Sequence, residues 1–206
     1  MEKPETENLE LQRERVTKLY NKAAPVYDER YEGEADYQVP GMLQDFYKEN
    51  NIHSGLVLDV GCGTGRIVDY LGGDFTYRGI DMSPAMAIEA KKKGLEVEVG
   101  PVEDIIKRFP DKSVDHITAM SMLYFVKDFV ELMKEFERVA KESIFISLEH
   151  FDDETIEMMR GLGINIYNHD SSLIDDPKEV KKNVYVWCRP ENKEKIYGDV
   201  VFKRLG

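Results

Sequence analysis

Asp59, Gly61, Gly63, Gly65 and Asp81 are the residues whose types and spacing are suited to chemistry. They stand in Val57-Leu58-Asp59-Val60-Gly61-Cys62-Gly63-Thr64-Gly65 and, about twenty residues on, in Tyr77-Arg78-Gly79-Ile80-Asp81. Each stretch reads as a buried strand that ends in an acid. Glycines at alternate positions let backbone approach a ligand where any Cβ would collide. A helix opening behind such a loop offers unpaired N–H groups and the positive end of a dipole. A carboxylate at the tip of the next strand suits the two hydroxyls of a ribose. Together these predict a pocket for a nucleoside-bearing cofactor.

Glycine spacing separates the candidate cofactors. The dinucleotide fingerprint G-x-G-x-x-G needs its third glycine where this chain carries Arg66. Asp59 sets a negative charge beside the loop, unwelcome next to a pyrophosphate and welcome next to an ammonium or sulfonium. The run resembles the first motif of the class I S-adenosylmethionine-dependent methyltransferases, and Asp81 resembles their second. That resemblance implies S-adenosyl-L-methionine as cofactor. It puts Asp59, Gly61, Cys62 and Gly63 at the methionine end and Asp81 on the ribose. More narrowly, Tyr20-Asn21-Lys22-Ala23-Ala24-Pro25-Val26-Tyr27-Asp28 is similar to the A-x-x-Y-D entry of the small-molecule methyltransferases related to the ubiquinone and menaquinone biosynthesis enzymes.

Further residues fall around the same pocket. Tyr20 and Tyr27 are placed to close over it from the N-terminal segment. Met82 follows the ribose acid and predicts an apolar wall for the adenine. In similar methyltransferases an acid that contacts the adenine amino group commonly stands where this chain has Pro101. The backbone around Val102 and the carboxylate of Glu103 are the substitutes, with a solvated helix start as the other reading of Glu103. Met120 and Ser121, at the carboxyl end of the fourth strand, belong near the methionine end. Tyr124 lines the acceptor site or serves packing. His150 follows the fifth strand and is the candidate base for an oxygen, nitrogen or thiol acceptor; its alternative is a hydrogen-bonded surface group. The Asn/Asp-Pro-Pro-aromatic motif of exocyclic-amine methylation is absent from the sequence.

These residues need a scaffold. The patterning predicts helices at Leu9–Lys22 and near Gly41–Asn50, in an N-terminal part that covers the open edge of the sheet. Strands follow at Val57–Val60, Thr76–Asp81, Leu95–Val99, Val114–Met120 and Ser143–Leu148, alternating with helices at Thr64–Leu71, Ala85–Lys93 and Phe129–Ala140. Asp152–Met159 reads as helix and Asn165–Asp176 as loop. Asn183–Cys188 and Asp199–Lys203 read as an antiparallel hairpin. The fold class expected is α/β: one Rossmann-like domain with a seven-stranded, mostly parallel sheet, a terminal antiparallel hairpin and flanking helices. Residues 1–54 form a helical cap and 55–206 the core.

Bulk composition narrows the partners. The chain has 206 residues, 42% of them hydrophobic and 33% charged, with a formal net charge of −12. So acidic a surface repels nucleic-acid phosphates. No run approaches the roughly 18 apolar residues of a membrane span, so neither nucleic acid nor membrane is an expected partner, and a cytoplasmic location follows by default. Cys62 and Cys188 make no disulfide framework and have no metal-ligand spacing. The expected activity is methyl transfer to a small-molecule acceptor by in-line displacement. The alternatives are a nucleotide-dependent oxidoreductase and a non-catalytic cofactor-binding partner subunit.

Overall fold

The computed structural model describes residues 9–30, 43, 44, 47, 48, 51–71 and 73–148, together with the strands 164–168, 183–188 and 200–204. The chain opens with helix α1 (Leu9–Ala23), a single 3-10 turn (Ala24–Val26) and the short helix α2 (Tyr27–Arg30). Strand and helix then alternate: β1 (Ser54–Val60), α3 (Ile67–Tyr70), β2 (Asp74–Asp81), α4 (Pro84–Lys92), β3 (Glu96–Val99), α5 (Val102–Ile105), β4 (Val114–Met120), α6 (Phe129–Val139) and β5 (Ala140–Leu148). Three further strands are β6 (Ile164–Asn168), β7 (Asn183–Cys188) and β8 (Val200–Arg204).

The first five strands are parallel, in the order β3-β2-β1-β4-β5. Strand order reverses between β1 and β4, which is where open α/β sheets bind ligands. Local sequence explains the helices that follow the strands. Ser83 accepts a hydrogen bond from the Met86 N–H at 3.1 Å and Pro84 fills the first helical position, so α4 starts there. Asp128 caps α6 by accepting from the Glu131 N–H at 2.9 Å. Leu132, Met133, Phe136 and Val139 then recur at helical spacing and pack with Leu58, Val60, Ile117 and Ile144 on one face of the sheet. Ala87 and Ala90 of α4 join Val57, Ile67, Leu71 and Val97 on the other face.

Four expectations need correction. Among the described residues the main sheet holds five parallel strands and an antiparallel edge strand, not seven, and the last two strands do not pair with each other as a hairpin. Asn183–Cys188 pairs antiparallel with β5, whereas Val200–Arg204 pairs antiparallel with Ile164–Asn168 in a separate two-stranded sheet. Two strand patterns joined by a charged turn do not specify which partner each strand finds. The segment read as loop from Asn165 instead begins inside β6, Ile164–Asn168. Thr64–Leu71 shrinks to the single turn Ile67–Tyr70, because Gly65 holds the preceding backbone at a φ of 75°. Finally, α1 lies over the carboxyl ends of the strands and not along the sheet's open edge, as its contacts below show. The helix expected at Asp152–Met159 lies outside the described residues.

Candidate cofactor site

Past β1 the chain turns through Gly61, Gly63 and Gly65, at φ values of 72°, 53° and 75°. The Gly61 and Cys62 N–H groups both donate to the Ile80 carbonyl, at 2.7 and 3.2 Å, and so tie the loop to β2. A Cβ on Gly61 would stand 2.6 Å from Cβ of Met122, and one on Gly65 would stand 3.1 Å from Cα of Ala90. Gly65 thus lets α4 pack close. A Cβ on Gly63 would meet nothing within 4 Å. The middle glycine faces open space, and that space is the cavity described next.

The two strand-tip acids have different surroundings. Asp81 Oδ2 accepts from the Gly63 N–H at 2.8 Å and Oδ1 from the Ser83 N–H at 2.7 Å. Burial pushes the Asp81 pKa up, and those two N–H groups oppose the shift. A carboxylate has about four acceptor positions, so two remain for a ligand. Asp59 is 2% exposed and sits in register beside Thr118 of β4, whose hydroxyl donates to its Oδ1 at 2.8 Å. Burial raises its pKa to about 7; the Thr118 hydroxyl works against this and the charge of Asp81 adds to it. A carboxyl so placed gains most from a cation brought next to it.

All twelve residues expected around the cofactor line one cavity of about 400 Å³ at the sheet's switch point. Asp59, Gly61, Cys62, Gly63, Asp81 and Met82 come from the first two strands and their loops. Val102 and Glu103 come from α5, Met120 and Ser121 from the end of β4, and Tyr20 and Tyr27 from the N-terminal segment. Ser121 adopts a φ of 53°, a conformation uncommon outside glycine that marks functional turns. The Tyr20 and Tyr27 rings meet edge to face, 6.1 Å apart. His116 is fully buried in β4, its Nδ1 2.8 Å from the Ser143 hydroxyl, and does not line the cavity. Tyr124 lies in the turn Leu123–Phe125 just past β4; its side chain, like the whole of His150, lies outside the described residues. Among the described residues no cluster of His, Cys, Asp and Glu suits a metal ion, and no helix is long and apolar enough to cross a membrane.

Glu103 lines the cavity and also has a partner that neither reading offered for it named. One oxygen accepts from the Arg13 guanidinium and, at 2.8 Å, from the Lys127 N–H. Burial would raise its pKa, but the Lys127 N–H and then Arg13 more than reverse that and leave it lowered. Glu103 is therefore an ionised clasp for α1. Arg13 was not singled out from the sequence, where Asn21 and Asp28 figured only as members of the A-x-x-Y-D resemblance and Arg66 only as the residue at the third-glycine position. Asn21 Oδ1 accepts from the Ser83 hydroxyl at 2.8 Å and the Ala85 N–H at 3.1 Å. Asp28 accepts from the Thr64 hydroxyl at 2.5 Å and pairs with Lys93 at 2.7 Å. Arg66 lies over the Tyr70 ring, 5.3 Å from its centroid, and both line the cavity. The A-x-x-Y-D resemblance was the signal for Asn21 and Asp28; Arg13 carried none beyond the polar character of its helix.

Comparison with known proteins follows the same stretch of chain. Residues 58–146 match the family model described as a methyltransferase domain. Over 98 residues the chain is 30% identical to a phosphatidylethanolamine N-methyltransferase of Cereibacter sphaeroides, which covers 45% of this chain and 48% of that protein. Over 143 residues it is 29% identical to a demethylmenaquinone methyltransferase of Listeria monocytogenes serotype 4a, covering 64% and 60% respectively. The chain thus spans between 48% and 60% of the length of these curated relatives. Among solved structures, the magnesium protoporphyrin IX methyltransferase of Synechocystis PCC 6803, crystallised with bound SAM, aligns with a TM-score of 0.57. That alignment has 14% identity and covers 81% of this chain and 91% of the other. At such identity it supports the fold alone, a mostly parallel Rossmann-like sheet with flanking helices.

Proposed function

We infer that this chain, whose residues 58–146 form a methyltransferase domain of the class I S-adenosylmethionine-dependent type, moves the methyl group of that cofactor to a small-molecule acceptor. One observation carries the reading: Asp59 and Asp81, acids at the ends of adjacent parallel strands, line one cavity on either side of an open glycine loop. The donor set fits the cofactor. Asp81 keeps acceptor positions for two ribose hydroxyls, Gly63 leaves room where a side chain would stand, and Asp59 offers a buried carboxylate to a cationic methionine end.

The remaining residues take roles by position. Met82 and Val102 flank the space for an adenine. Met120 and Ser121 end the central strand beside Asp59 and contact the methionine end. Tyr20 and Tyr27 roof the cavity and keep water from the reacting atoms. The cofactor, when bound, supplies an activated methyl group and a neutral thioether leaving group. The chain's own part is to hold an acceptor in line and exclude solvent, which in well-oriented systems accounts for roughly 7–11 kcal/mol of barrier. Tyr124 and His150, which follow β4 and β5 in sequence, are the residues we propose for the acceptor side, with His150 taking a proton where the acceptor carries one. The Phe151–Lys182 segment, on the same reading, shapes the acceptor pocket. We further propose that the chain is a single domain with residues 1–54 as its cap.

Thermal shift and calorimetry with S-adenosylhomocysteine and with NAD(H) test the reading. Stabilisation and binding by the first alone are expected. Binding of the dinucleotide, or of neither, would overturn it. Transfer of labelled methyl groups from S-adenosylmethionine into metabolite extracts then identifies the acceptor.

A further inference from the structure

Helix α1 has fifteen residues, and the one side chain it buries is an arginine. Leu11 is 42% exposed and Leu19 63%. A surface helix is ordinarily stabilised by an apolar face pressed on a core. Here that face is turned to the cavity instead: Val16, Thr17 and Tyr20 line it, together with Tyr27 of α2. What holds the segment is a set of polar anchors, one at each strand-end loop around the site. After β1, Thr64 donates to Asp28 at 2.5 Å; after β2, the Ser83 hydroxyl donates to Asn21 at 2.8 Å. After β3, Glu103 accepts from Arg13; after β4, the Phe125 carbonyl accepts from Arg13 Nε at 2.8 Å.

We propose that residues 9–30 are a strap whose docking is coupled to cofactor binding, with Arg13, Asn21 and Asp28 as positioning residues that set how long the cofactor stays. This rests on the cofactor reading given above. A molecule in the cavity adds apolar contacts to Val16, Tyr20 and Tyr27, which line it, so the docked strap gains packing in the loaded protein. Segments with little apolar burial are those that open most readily. The coupling is reciprocal: whatever loosens the strap weakens the ligand by the same factor that the ligand tightens the strap.

Hydrogen exchange of the full chain with and without S-adenosylhomocysteine tests the strap without any substitution. Amides of residues 9–30 should exchange about tenfold or more slowly in the complex. Release of the same ligand, followed on a biosensor, should be about tenfold or more faster in Arg13→Ala and in Asp28→Asn, the loss of a charge-assisted hydrogen bond. Arg13→Lys, which keeps the charge without the fork, should fall between and stands in if Arg13→Ala does not fold. Tight binding with unaltered exchange in residues 9–30, or with release in the variants within twofold of the parent, overturns the strap and leaves the cofactor reading intact. No binding to the parent chain overturns both.

Discussion

The Gly63 N–H donates to Asp81 Oδ2 at 2.8 Å, so the open glycine of the loop is pinned by the acid of the neighbouring strand. The contact joins residues assigned from the sequence to neighbouring parts of one ligand, Gly63 to the methionine end and Asp81 to the ribose. It makes Asp81 at once a ligand contact and a brace for the loop's shape. The Ser83 N–H on its other oxygen ties the start of α4 into the same arrangement.

Asp81→Ala should therefore lose more than a ribose contact. Removing a charge-assisted hydrogen bond costs roughly 1.5–3 kcal/mol, and here the Gly63 N–H loses its partner as well. Calorimetry with S-adenosylhomocysteine should show affinity reduced by tenfold or more. Asp81→Asn should do little better, because its amide NH2 would face one of the two backbone donors. Unchanged affinity in both variants would remove Asp81 from the site.

Gly61→Ala and Gly63→Ala should separate stability from binding. Both force a side chain into the left-handed region, which costs roughly 1–2 kcal/mol for a residue with a Cβ. Gly61→Ala adds a collision with Met122 at 2.6 Å, whereas the Cβ of Gly63→Ala meets no protein atom within 4 Å. Denaturation should find the first clearly less stable than the second. Gly63→Ala should nevertheless bind cofactor poorly, since its methyl group stands where the ligand would lie. Equal Tm values for the two variants would contradict the packing argument.

The parallel core was legible in the sequence because each of its signals is local. Val114–Met120 ends as its pattern predicts, and Ser83-Pro84 starts α4 by chemistry contained in two residues. The site residues were legible for a related reason: strands of a parallel sheet deliver their tips to one edge, so acids and glycines at strand ends converge. Pairing between distant segments left no such signal. Nothing in Asn183–Cys188 distinguishes β5 from β8 as its hydrogen-bonded partner. Nor does Glu103 carry any mark of Arg13, which lies ninety residues away in sequence and meets it only after the sheet has assembled.

His116 offers a control remote from the cavity. Burial depresses its pKa below 6.5, with Glu142, the Ser54 carbonyl and Asp115 pulling the other way. Neutral His116 thus contributes stability that is full above pH 6.5 and is lost as pH falls through its folded-state value. Urea titrations should find His116→Gln more damaging at pH 8 than at pH 5, relative to the parent chain at the same pH. Cofactor affinity at pH 8 should be unaltered, and a large drop there would place His116 in the binding machinery.

Asp59 should show the opposite slope and a conflict between stability and binding. Its pKa rises on folding from 3.8 to about 7, chiefly through burial. Between those values the folded chain holds a proton that the unfolded chain has released, so Asp59's contribution to stability falls as pH climbs from about 4 to 7. Above that range the ionised buried carboxylate costs up to roughly 4 kcal/mol. Asp59→Asn should therefore raise Tm at pH 8 and leave it nearly unchanged near pH 4, with Thr118 turning its hydroxyl to suit the amide. The same substitution should weaken cofactor binding at pH 8, where the ionised acid would face a cation. In the parent chain, affinity should fall about tenfold per unit as pH drops below 7, with a proton released on binding. Calorimetry in two buffers of different ionisation enthalpy counts that proton directly. Pairing of the cation with ionised Asp59 would be refuted by binding that is independent of pH from 5.5 to 8.5 and accompanied by no proton release.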